Sequence, residues 1–63
     1  MMEDLINYIK EKLKRLDDEF FYYAEKLDRT YEPIEKQRLE NLVHDIRTEA
    51  RTLNDILDQI NEE

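Results

Sequence analysis

Apolar residues recur along the first half of the chain at alternating intervals of four and three: Met2, Ile6, Ile9, Leu13, Leu16, Phe20, Tyr23 and Leu27. That spacing is a heptad seam, with Ile6, Leu13, Phe20 and Leu27 at position a and the intervening residues at position d. A second series follows the same rule through Leu39, Val43, Ile46, Ala50, Leu53, Leu57 and Ile60, with Val43, Ala50 and Leu57 at a. Leu42 and Ile56 widen this second stripe on one side, as in bundle helices rather than two-stranded coiled coils. Each half therefore predicts one amphipathic helix, and Glu3 and Asp4 suit the positive end of the first helix dipole.

The two seams do not share a frame: Leu27 and Val43 both occupy a, but sixteen residues separate them, two more than two heptads. The break falls at Thr30-Tyr31-Glu32-Pro33, which holds the only proline of a chain without glycine. Proline disfavours helix for the residue before it and fits the first turn of a new one. The expected fold is all-α, an antiparallel two-helix hairpin spanning residues 1–63 as one unit. Its helix 1 runs over about 3–29, its turn over 30–32 and its helix 2 over about 33–61, each helix about 40 Å long.

A turn centred near 31–32 pairs residues whose numbers sum to about 63. The core then matches Phe20 with Val43, Leu16 with Ile46, Leu13 with Ala50, Ile9 with Leu53 and Ile6 with Leu57. The flanks, not used to set that register, place Lys12 by Glu49, Lys26 by Glu35, Asp17 by Arg47 and Leu5 by Ile56. Their agreement with the core supports the hairpin.

Composition narrows the possibilities. Sixty-three residues without cysteine bury little apolar surface alone and have no disulfides or thiolate sites to help, so a partner subunit is the expected source of further burial. The net charge of −7 divides into −2 for residues 1–30 and −5 for residues 31–63, which disfavours nucleic acid and anionic membranes as partners. No signal-peptide pattern or membrane-spanning stretch is read, and a cytoplasmic protein is the expectation.

Residues able to carry chemistry are few. His44 is the only histidine; Glu40 lies four residues before it, whereas di-metal helical bundles use an inward Glu-x-x-His. There is no serine or cysteine to act as nucleophile, no glycine loop for phosphate, and no base beside Thr30, Thr48 or Thr52. No catalytic, cofactor-binding or metal-binding residue is assigned, and no enzyme is expected. Asp4, Glu11, Asp18 and Glu25 recur every seven residues on the outward face. Their spacing of about 10.5 Å is much looser than that of phosphates along a strand. The basic cluster of Lys10, Lys12, Lys14 and Arg15 is interrupted by Glu11 and followed by Asp17 and Asp18, which blunts any nucleic-acid contact.

The run Phe20-Phe21-Tyr22-Tyr23 is the main anomaly. Successive helical residues point about 100° apart, so four aromatics in a row cannot face one core. Phe20 and Tyr23 take the seam and leave Phe21 and Tyr22 outside it. Ala24 and Tyr31 extend the Phe21 side, and Ile34 and Leu42 add apolar surface near the turn. Phe21, Tyr22, Ala24, Tyr31, Ile34 and Leu42 are the candidate protein-binding residues, either inside a homodimer or as a docking patch, since aromatics dominate interface hot spots.

The length, the midpoint turn and the paired heptads resemble in plan the Rop type of plasmid regulator. That resemblance implies a hairpin that dimerises into a four-helix bundle. Gln37-Arg38-Leu39-Glu40 looks like part of the Ser-Gln-Glu-Leu-Asp signature of small sporulation phosphatases, but Lys36 and Glu40 replace its Ser and Asp. The functional expectation is a small acidic, non-enzymatic interaction or regulatory module, such as an inhibitor from a mobile element, acting as a homodimeric helical bundle. The alternatives are an acidic nucleic-acid mimic and a purely structural or designed bundle.

Overall fold

The computed structural model describes residues 2–62; Met1 and Glu63 lie outside the described residues. Helix α1 spans Met2–Asp28 and helix α2 spans Pro33–Glu62, and the two pack against one another as a hairpin. Among the described residues there is no strand. The molecule measures 47 × 15 × 12 Å. Its radius of gyration of 14.6 Å exceeds the roughly 10.6 Å of a compact globule of this length.

Each end at the turn has a local cause. Helix α1 stops without a left-handed residue, since no described residue has positive φ. Instead the Arg29 and Thr30 amides donate to the Lys26 and Leu27 carbonyls at 3.2 and 3.1 Å. The Thr30 hydroxyl also donates to the Lys26 carbonyl at 2.7 Å, so a tightened last turn and a side chain satisfy carbonyls left over by the helix. At the start of α2, both carboxylate oxygens of Glu32 accept backbone amides: Ile34 N at 3.2 Å on Oε1 and Glu35 N at 2.7 Å on Oε2. The Glu32 carbonyl accepts the Lys36 amide at 2.9 Å. Glu32 is thus the cap, Pro33 takes the first helical position where its missing N–H costs nothing, and a carboxylate sits at the positive end of the dipole.

One cross-helix contact marks the register. Lys12 Nζ lies 3.5 Å from Glu49 Oε1, and helical periodicity then sets the other levels. The buried residues among those described are Ile9 and Leu16 on α1 and Leu39 and Ile46 on α2, every one of them a d position. The a positions, which the register also places in the core, are all only half-buried: Ile6, Leu13, Phe20 and Leu27 on α1, and Val43, Ala50 and Leu57 on α2. At d, Tyr23, Leu53 and Ile60, away from the middle of the hairpin, are as open. Two helices offer only one line of closest approach, and here d meets d along it. The hairpin therefore carries three stripes: the buried d centre, an apolar a flank, and a more polar flank holding Leu5, Lys12 and Glu19 beside Leu42, Glu49 and Ile56.

The other two expected cross-helix ion pairs are not formed. The Glu35 carboxylate turns instead to Arg38 on its own helix, at 3.7 Å. Asp17 and Arg47 line a common groove without closing to ion-pair distance. Exposed pairs are worth only about 0–1 kcal/mol, too little to hold two long side chains against solvent.

Candidate functional site

The six residues singled out by the aromatic run occupy three places. Phe21 stacks edge-to-face on Phe20, with ring centroids 5.7 Å apart, while Tyr22 stacks edge-to-face on Tyr23 at 4.9 Å. Because Phe20 is at a and Tyr23 at d, the two exposed rings lean to opposite sides of the seam. Phe21, 66% exposed, and half-buried Ala24 border the a flank. Tyr22, 60% exposed, and Leu42 belong to the polar flank. Tyr31 stands in the linker, 92% exposed, and Ile34 lies in the first turn of α2, also exposed.

The polar flank also presents Leu5, Tyr8 and Ile56, all exposed. Tyr8 did not figure among the aromatics read from sequence. The signal that would have found it is its place two heptads before Tyr22, on the same helical face. The a flank differs in kind. Its apolar residues form a continuous half-buried stripe, interrupted on α2 only by Lys36. Near its middle the stripe opens into a groove with Leu16, Phe20, Ile46 and Ala50 at its base and Asp17, Arg47 and Asn54 on its rim, which continues along α2 past His44, Thr48 and Arg51. The groove follows from Ala50: at Leu13's level α2 supplies only a methyl group, and nothing else in the hairpin fills the space.

Charge is sorted as well. Asp4, Glu11, Asp18 and Glu25 run along the outer face of α1, and Asp55 occupies the matching face of α2, all exposed. The flanks mix both signs. Lys10, Asp17 and Arg47 border the a stripe, and Lys12, Arg15, Asp45 and Glu49 the opposite one. The excess negative charge therefore points away from both surfaces that another helix could cover.

His44 is exposed on α2, and the Thr48 hydroxyl bonds its backbone carbonyl at 3.0 Å. Among the described residues no three His, Asp or Glu side chains gather so as to hold a metal ion, and no polar residue is buried. No described helix is long and apolar enough to cross a membrane. Compared with known proteins, the chain matches no family model, and no curated protein or solved structure resembles it at a significant level.

Proposed function

We propose that the chain is a non-enzymatic protein–protein interaction module that works as a homodimeric four-helix bundle, in a regulatory or inhibitory role. One observation carries this reading: the hairpin leaves more surface in water than a compact chain of its mass, and a half-buried apolar stripe lies within that surface. Its accessible surface is 5514 Å², against roughly 4,400 Å² for a compact monomer of 7.8 kDa, an excess of roughly 1,100 Å². A stable interface of standard size buries about 800 Å² per partner. The surplus is of the size that one partner would cover, and the a stripe is the surface whose covering would complete a core.

Sedimentation at micromolar concentration is the direct test. The expected mass is at least twice the 7.8 kDa of the chain, with helicity falling on dilution because folding and association are coupled. A hairpin that stays fully helical and monomeric would refute the reading. The two exposed aromatics separate self-association from docking of another protein. Phe21→Glu sets a charge beside the a stripe and should dissociate the dimer. Tyr22→Gln acts on the opposite flank; the dimer should persist, while capture of a protein partner should weaken by upwards of about 30-fold if that flank is the docking side.

The acidic-mimic reading draws on the outward carboxylate line, but successive members are about 10.5 Å apart along α1, and it leaves the half-buried stripe unexplained.

A further inference from the structure

We infer that the second copy covers the a stripe with its two-fold axis along the length of the hairpin, so that each α1 lies over the partner's α2 and both turns sit at the same end. The inference rests on the dimer reading above and adds its orientation, which the size of the side chains decides.

Two symmetric ways of stacking the stripes exist, because a face-to-face pair needs its axis in the plane of contact. With the axis lengthwise, α1 meets the partner's α2 at the same level. With the axis crosswise, each helix meets its own copy and the turns point to opposite ends. Nearest the turn, Leu27 of the stripe faces Lys36, so the layers that are apolar on both helices run from Ile6 and Leu57 to Phe20 and Val43, with Leu13 and Ala50 in the middle. Full overlap centres a crosswise dimer on that layer.

Side-chain volume is unequal across the stripe. Helix α1 carries the larger residue in the two layers nearest the groove, Leu13 against Ala50 and Phe20 against Val43. The lengthwise arrangement sets Leu13 over Ala50 of the partner subunit and Phe20 over the partner's Val43, and each Leu13 enters the groove that the other chain's Ala50 leaves open. The crosswise arrangement sets Leu13 on Leu13 and Ala50 on Ala50, crowding one side of the middle layer and leaving a hole on the other. Cores close at near-crystalline density, and both overpacking and voids are penalised.

Charge is compatible with both. Lengthwise, Asp17 meets the partner's Arg47 across the groove rim, where each already stands without an ion-pair partner in its own chain among the described residues. Crosswise, Lys10 would meet the partner's Asp17. Volume therefore carries the choice, and the lengthwise stack adds a use for the two rim charges.

The chain has no cysteine, so single cysteines report directly. Asp17→Cys and Arg47→Cys chains are mixed in equal amounts, and Ala50→Cys is taken alone. All are oxidised under conditions where circular dichroism shows helix and sedimentation shows the dimer. The lengthwise stack predicts that the disulfide joining an Asp17→Cys chain to an Arg47→Cys chain predominates over either homodisulfide, and that Ala50→Cys does not cross-link to itself. Efficient self-linking of Ala50→Cys, or a mixture in which the hetero-linked species does not exceed its statistical half, overturns the orientation while leaving the dimer standing. A monomer by sedimentation of the unsubstituted chain overturns both, and identifies the dimer reading as the step that failed.

Discussion

Leu16→Ala probes the centre of the hairpin most directly. Leu16 is 6% exposed and lies at the level of Ile46, also 6% exposed. Losing three buried carbons forfeits roughly 2.4 kcal/mol of transfer free energy at about 0.8 kcal/mol per methylene. The residual cavity raises observed Leu→Ala costs to about 2–5 kcal/mol. In a lone hairpin the open groove beside Leu16 lets the site relax toward the lower half of that range, about 2–3.5 kcal/mol, whereas in the dimer, where the groove is filled, the full range applies. A domain of this length has a total stability of only about 3–9 kcal/mol, so the substitution should remove a large share. The assay is urea unfolding followed by far-ultraviolet circular dichroism at one fixed chain concentration, since stability is linked to association. A double-mutant cycle with Ile46→Ala should give a coupling of about 0.5–3 kcal/mol, as for residues that share a cavity. Leu13→Ala is the companion measurement. In a lone hairpin a half-buried leucine should cost clearly less than Leu16, whereas in the dimer the two costs should converge. A cost below about 1 kcal/mol for Leu16→Ala, or no coupling to Ile46, would refute the assignment of d as the buried centre.

Glu32→Ala removes both oxygens that cap α2 and should cost about 0.5–2 kcal/mol, with hydrogen exchange of the Ile34 and Glu35 amides accelerating well before that of the helix middle. Unchanged protection at those two amides would mean that the carboxylate does not hold them. Lys12→Ala, which deletes the one cross-helix ion pair found among the described residues, should change stability by no more than about 1 kcal/mol, an effect that high salt also erases; a larger, salt-insensitive loss would show that the side chain's stem is packed in the seam.

Much of the fold was legible because the pattern of apolar residues and the turn chemistry point to the same structure. The seam of Ile9, Leu16, Leu39 and Ile46 follows from the heptads, and the start of α2 follows from Pro33. The unequal burial of a and d was not legible. A heptad marks both positions as apolar, and which one reaches the centre depends on how many helices surround it. The Glu32 cap was also missed, since glutamate is not among the favoured cap residues; its longer side chain folds back so that each oxygen takes a separate amide. The candidate surface read from the aromatic run gathered residues by closeness in sequence. Helical rotation distributes Phe21 and Tyr22 to opposite flanks, and Tyr8 joins Tyr22 from two heptads away.

The glycine-free turn also gives the hairpin a direction of assembly. Its buried layers are nested around that turn: Tyr23 with Leu39 encloses the shortest loop, Leu16 with Ile46 the next, and Ile9 with Leu53 the longest, at separations of sixteen, thirty and forty-four residues. Closing the outermost layer first would cost roughly 0.9 kcal/mol more chain entropy than closing the innermost. Once the inner layer forms, each later one closes a gap of only seven further residues per helix. The order of zippering thus runs outward from the capped turn. The helix ends farthest from it are the last to be held and the first to let go, so the turn and its carboxylate cap act on the rate of folding as much as on its endpoint.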